Sequence, residues 1–262
     1  ALFKNRFFRL RYSSICYYIG ALDNQKPSIK QFHGIMIIAR GGGQVIMKDK
    51  ETSRCLCKKM GCWLGDDEGI PSYCQANHYI KEIEKAKKAY AEPEVVDIYT
   101  AACVVGKKND GYRPRIEEAL DFAGEMKFSR VGFAVCVAFG RELEVIRRLF
   151  EQAGIEVFSA GCQIGRSSAT DRGLPQLEAY PDNSTCNPVA QAEILNKAQT
   201  QLNFIIGLCM GHDILFTRYS RAPVSTLIVK DRLMGNNPAA ATYGWHARRA
   251  LFKLRRSDNK IV

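Results

Sequence analysis

Ten cysteines stand in a chain of 262 residues, and eight of them fall into two groups of four whose settings suit different chemistry. The first group is Cys55, Cys57, Cys62 and Cys74, in the pattern C-x-C-x4-C-x11-C. It lies in residues 51–78, a polar, glycine-containing stretch with too few apolar residues to build a core of its own. Soft thiolates in such a loop are what Zn²⁺ or an iron–sulfur cluster requires, and four of them close a tetrahedral site. The spacing departs from the paired C-x2-C of a zinc ribbon, and His78 could replace one thiol. A disulfide framework is the competing reading. It fits less well, because Arg9 and Arg11 interrupt the only apolar stretch that could serve as a secretion signal and the cytosol is reducing.

The second group is read from strand ends. VGFAVC closes on Cys136, EVFSAGC on Cys162 and NFIIGLC on Cys209. In a parallel α/β sheet the C-terminal ends of the strands form the ligand-binding edge, so these three thiols should converge on one rim. Cys186 stands just before Asn187-Pro188, which reads as the N-cap and N1 of a helix, and should join them. A fourth strand, VSTLIVKD, delivers Lys230 and Asp231 to the same rim, and the turn after Cys209 brings His212 and Asp213. Helix N-termini stabilise thiolate, the state that binds metal or attacks an electrophile. His212 could ligate a metal or act as the base that activates Cys209. The rim could hold a second metal, form a redox disulfide pair or carry a nucleophile. Against each stands plain packing: a cysteine at a strand end serves as a small core hydrophobe, Asp213 as a helix cap, and Lys230 with Asp231 as a surface pair. Cys103, on a helical face with Val95, Val96 and Ala102, reads as core packing. After the second strand, Gly165, Arg166, Ser167 and Ser168 form a loop that could cradle a carboxylate or phosphate. It is no Walker loop, and no G-x-G-x-x-G follows the first strand, so no nucleotide is expected.

The elements that must position these residues follow from periodicity. Residues 78–91 have helical spacing, Pro93 opens a second helix, GKKNDGY reads as a turn, and Pro114 opens a helix with Ile116, Leu120 and Ala123 on one face. From residue 129 strands alternate with helices. That alternation implies right-handed crossovers and a parallel sheet covered on both faces. The expected fold is α/β, a three-layer Rossmann-like domain over residues 111–244, preceded by a cysteine-rich metal module with helices at 47–110. The stretch 163–185 is long for a connector and reads as a lid or binding loop.

Charge sharpens the choice of partners. The net +11 is concentrated at the two ends. Residues 1–46 carry +6, residues 245–262 carry +5, and the 25 basic and 25 acidic residues of 47–244 cancel. The globular part therefore has no net pull toward nucleic acid. No apolar run has the length of a membrane span, so a membrane is not expected and the cytoplasm is. Gly41-Gly42-Gly43 stands shortly before Met47, and glycine codons make a purine-rich tract there. Residues 1–46 read either as translated upstream sequence with a start at Met47, or as a basic arm. The C-terminal WHARRALFKLRRSDNK reads as a solvated basic tail or a short amphipathic helix.

Three stretches together carry a family resemblance: RPRIEEALDFAGEMKFSRVGFAVCVAFGRE, the run from CNPVAQAEILNKAQ to APVSTLIVKDR, and GNNPAAA. The chain, over about residues 53–243, resembles the domain of unknown function 1847 family, described as cysteine-rich metal-binding proteins. The resemblance implies a metal and no defined reaction. It also implies a start near the first cysteine. The family opens with C-x2-C where this chain has Cys55-Leu56-Cys57, and has a histidine where this chain has Asn236. The expectation is a metal-binding protein, holding Zn or an Fe–S cluster, with a cysteine-lined cleft open to a small-molecule or redox partner. The alternatives are a non-catalytic metal or redox sensor or carrier, and, with least support, a nucleic-acid-binding zinc module.

Overall fold

The computed structural model describes residue 62 and residues 70–109, 111–175 and 185–256. Cys55, Cys57 and the whole of residues 1–46 lie outside the described residues. Backbone contacts divide the chain between Glu92 and Pro93 into two units. In the first, Cys74 is buried and precedes a single helical turn, α1 (Gln75–His78), which α2 (Ile80–Ala89) follows.

The second unit opens with α3 (Pro93–Asn109) and α4 (Arg115–Glu125). Then come β1 (Arg130–Val135), a 3-10 turn at Val137–Phe139, α5 (Gly140–Gln152) and β2 (Glu156–Gly161). A second 3-10 turn, Thr170–Arg172, precedes α6 (Pro188–Lys197), β3 (Leu202–Ile206), α7 (His212–Tyr219) and β4 (Val224–Ile228). The short α8 (Ala240–Tyr243) and α9 (Trp245–Arg256) close the chain. The four strands pair in parallel in the order β2-β1-β3-β4. This is the expected α/β sheet flanked by helices.

The two faces of the sheet have different chemistry. On one, Phe133 and its register partner Phe204 stack, and Phe150 of α5 packs edge-on against both. All three rings are buried, and aromatic edge contacts add about 1 kcal/mol each beyond the area they bury. On the other face Gly132 lies against Asn203 and against Leu195 of α6, and a β-carbon at 132 would run into the Asn203 amide. Asn203 is buried, yet its polar atoms are partnered. Its oxygen accepts from Thr200 Oγ1 at 2.7 Å, and its nitrogen donates to Ser220 Oγ at 2.8 Å. A buried amide with both ends satisfied ties β3 to the loop after α7 without a desolvation penalty.

Two local expectations are corrected. GKKNDGY was expected to turn, but α3 continues through Gly106 to Asn109. Ala101, Val105 and Asn109 recur at four-residue intervals and are all buried, so packing along that stripe outweighs the roughly 1 kcal/mol cost of a mid-helix glycine. The same stripe turns Cys103 away, and it is exposed rather than part of the core. Elsewhere the local signals act as read. Asn187 caps α6, its side-chain oxygen accepting from Ala190 N at 3.2 Å with Pro188 at the first helical position. Gly154 ends α5 region with φ +80°, a conformation that favours glycine.

Two glycine substitutions should move stability in opposite directions. Gly207 has φ +63°, and a β-carbon there would run into the Phe139 ring. Gly207→Ala should cost about 2 kcal/mol in urea unfolding. Gly106 has open space around it in a helix, so Gly106→Ala should gain about 0.5–1 kcal/mol in the same measurement.

Candidate functional site

The strand order creates a topological switch point. The chain leaves β1 for β2 on one side and returns to β3 on the other, so the crevice between the C-terminal ends of β1 and β3 has no connection running across it. Cys136 follows β1 on one side of that crevice, and Cys209 follows β3 on the other. Cys136 N donates to Ile206 O at 3.0 Å, which carries the strand pairing right up to the thiol. Beyond it, Gly207 N donates to Ile228 O at 2.8 Å, and the positive φ at Gly207 turns the chain toward Leu208 and Cys209.

Cys162 follows β2, and its Sγ accepts from Val137 N at 3.5 Å, at the start of the 3-10 turn that leads into α5. Cys186 is held beside it because Asn187 N donates to Cys162 O at 2.6 Å. Cys136, Cys162 and Cys186 form a hydrogen-bonded chain of sulfurs, Cys136 and Cys162 buried and Cys186 half-buried. Lys230, two residues past β4, reaches into the group. Its Nζ donates to Cys136 Sγ at 2.8 Å and to Cys209 Sγ at 3.3 Å. The His212 ring hydrogen-bonds Cys209 from the first turn of α7.

These contacts divide the four thiols. Cys136 donates its proton to Cys162 and is buried, which together push it up to about 12 despite Lys230. Cys162 is helped toward ionisation by the bond from Cys136, but its bond to Cys186 and its burial outweigh that and raise it. Cys186, at the accepting end of the chain, is lowered by the bond from Cys162. Cys209 is lowered by the His212 bond, against its burial, with the Lys230 charge adding to the effect. Burial alone would depress Lys230, yet its bonds and attraction to Cys136 and Cys209 raise it, so it stays an ammonium. The rim thus holds two protonated thiols, two thiols poised to ionise, and a cation between Cys136 and Cys209.

Asp213 and Asp231, read as rim residues, serve their own backbones. Asp213 Oδ1 accepts from Gly211 N at 2.9 Å and Ile214 N at 2.8 Å. Asp231 Oδ1 accepts from Leu233 N at 3.1 Å and Met234 N at 3.0 Å. The candidate anion loop is likewise engaged internally. Arg166 is exposed, Arg172 donates to Ser167 Oγ at 3.0 Å, and the next amide, Ser168 N, donates to Asp171 Oδ2 at 2.7 Å. A carboxylate of the chain itself holds a donor that an anion would need.

One residue of the site was not singled out from sequence. Gln191, fully buried in the first turn of α6, donates through Nε2 to Ala160 O at 2.6 Å and Val135 O at 3.3 Å. These are among the last residues of β2 and β1, so one amide fixes the spacing of the segments that present Cys162 and Cys136. The available signal was a polar residue on the inward face of α6, beside the buried Ala192 and Leu195.

Among the described residues, no three His, Cys, Asp or Glu side chains surround a common point as a metal ion requires. At the rim the Lys230 ammonium contacts two of the sulfurs, so the four rim thiols do not form a metal cage as they stand. In the first cysteine group Cys62 is exposed and Cys74 buried. His78 Nε2 bonds Ser72 O at 2.8 Å.

A family model described as a protein of unknown function, DUF1847, matches residues 74–227, more than half of the chain. An uncharacterized protein of Methanocaldococcus jannaschii, MJ0455, is 35% identical over 188 residues, covering 71% of this chain and 91% of the relative.

The divided thiols give a signature in stability against pH. Folding raises the proton affinity of Cys136 from 9.0 to about 12, so its contribution is full below pH 9 and is lost as pH climbs toward 12. Cys162 acts in the same sense. Urea unfolding should show a free energy falling above pH 9, by at most about 1.4 kcal/mol per pH unit for each group. Cys136→Ala should flatten that slope.

Proposed function

The chain belongs to the DUF1847 family, and within it we propose that the rim is a cysteine-thiolate centre, with Cys209 as the reactive sulfur. A soft electrophile is its partner. Cys209 attacks, His212 holds it as thiolate, and Lys230 balances the charge. What supports this reading is the shared ammonium: one Lys230 nitrogen within hydrogen-bond reach of both Cys136 and Cys209, at the open switch point of the sheet. A half-buried lysine is costly unless paired, and the partners this one has are two sulfurs. The remaining rim thiols, Cys162 and Cys186, tune the charge of the pair. Free thiols of this kind belong in a reducing compartment, which favours the cytoplasm. No helix among the described residues is long and apolar enough to cross a membrane.

The first cysteine group has a separate role in this reading. Cys55, Cys57, Cys62 and Cys74 would hold Zn or an Fe–S cluster as a structural centre, supported by four thiols within a short polar stretch. The competing assignment, a nucleic-acid module, lacks the net charge over residues 47–244 to sustain it.

Iodoacetamide labelling followed by peptide mapping tests the thiolate centre. At pH 7 Cys209 should be modified well before Cys136 and Cys162, and faster than a free cysteine peptide. Lys230→Met should slow Cys209 labelling by about threefold to tenfold, because one pKa unit changes the thiolate population about tenfold. A Cys209 rate no greater than that of the free peptide refutes the assignment. Metal analysis of anaerobically purified protein tests the first group: one Zn or an iron chromophore is expected, lost in Cys62→Ser and Cys74→Ser but kept in Cys209→Ser.

A further inference from the structure

Resting on the thiolate reading of the rim, we infer that Cys209 and Cys136 are a redox pair that reduces organic disulfides, closing to a disulfide across the β1–β3 switch point where Lys230 now binds both sulfurs. Three observations carry this. The two sulfurs share one nitrogen, at 2.8 and 3.3 Å, so they lie within the sum of those distances of one another. They come from neighbouring strands, since β1 pairs directly with β3 and Cys136 N bonds Ile206 O at 3.0 Å. They differ in access, Cys136 being 5% exposed and Cys209 half-buried beside an exposed Met210. An accessible sulfur backed by a buried one is the arrangement that attack followed by resolution needs.

The chemistry balances in two steps. The Cys209 thiolate attacks one sulfur of a substrate R–S–S–R, forming Cys209–S–S–R and releasing RS⁻, which takes a proton from water. Cys136 then loses its proton to solvent and attacks the Cys209 sulfur. The protein disulfide forms and a second RS⁻ leaves and is protonated. Two protein thiols are oxidised by two electrons, and one disulfide is reduced to two thiols. Lys230 links the steps. While Cys209 carries the charge, the ammonium serves both sulfurs and Cys136 keeps its proton. Once Cys209 is bound in the mixed disulfide it is neutral, and the ammonium is left to Cys136, its closer contact. The cation thereby promotes ionisation of the second thiol only after the first has reacted.

Two other pairings compete within the rim, Cys136 with Cys162 and Cys162 with Cys186, both of which also touch. The full chain, reduced and then treated with bis(2-hydroxyethyl) disulfide, distinguishes them by mass mapping of unreduced peptides. A Cys136–Cys209 disulfide is expected, with two equivalents of 2-mercaptoethanol released. Cys136→Ser should halt at the mixed disulfide on Cys209, and Cys209→Ser should give neither product. Lys230→Met should slow closure of the mixed disulfide by about tenfold beyond its slowing of the first adduct. A mapped Cys136–Cys162 or Cys162–Cys186 bond, or a mixed disulfide that persists on Cys209 in the unsubstituted chain, overturns the pairing while leaving a fast iodoacetamide reaction at Cys209 intact. Slow iodoacetamide labelling of Cys209 removes the thiolate centre itself, and this pair with it.

Discussion

A parallel sheet has two unlike edges, and this protein keeps its chemistry at one of them. Because every strand of β2-β1-β3-β4 runs the same way, Cys162, Cys136, Cys209 and Lys230 leave the sheet on the same side although they are far apart in sequence. Right-handed crossovers place α5 on one face and α6 with α7 on the other, and that alternation opens the crevice between β1 and β3. The aromatic layer of Phe133, Phe150 and Phe204 and the Asn203 network hold the strands in register underneath. A slip of one residue would reverse the side chains of a whole strand. The sulfur cluster is only as well placed as that packing.

Within the rim, charge is rationed by hydrogen bonding. Four thiolates so close together would repel strongly, and the surroundings supply one ammonium and one imidazole against them. Hydrogen bonds run along a line, Cys136 to Cys162 to Cys186, and with burial they favour the neutral form of the two deeper thiols. Lys230 is stabilised in a half-buried setting because its partners are there. The same argument explains why a soft metal cage and this arrangement are different states: a cage needs sulfurs facing one point, whereas here two of them face a cation.

Much of this is legible in the sequence. Cysteines at the ends of VGFAVC, EVFSAGC and NFIIGLC, together with the α/β alternation, were enough to expect one rim, because strand direction follows from the crossovers. Asn187-Pro188 announced the helix that seats Cys186, and Gly154 the end of the α5 region, because caps act locally. What escaped was non-local. The extension of α3 past Gly106 depends on what Val105 and Asn109 pack against, and the same packing exposes Cys103. Gln191 looked like one polar residue among several in α6, and only the strand ends beneath it give its amide a purpose.

The sequence by itself determined the inventory: two cysteine groups, neutral charge over residues 47–244, four strand signals and the helices between them. Those are properties of composition and period, and they survive without knowing any distance. Tertiary structure alone decided the assignments. It gave Lys230 to Cys136 and Cys209, and left Asp231 to its own turn and Asp213 to the start of α7. It filled the Ser168 amide with Asp171, where sequence offered a place for an anion. The reason is geometric. A side chain of several rotatable bonds can serve any neighbour within reach, and which neighbour it serves depends on where the strands end in space.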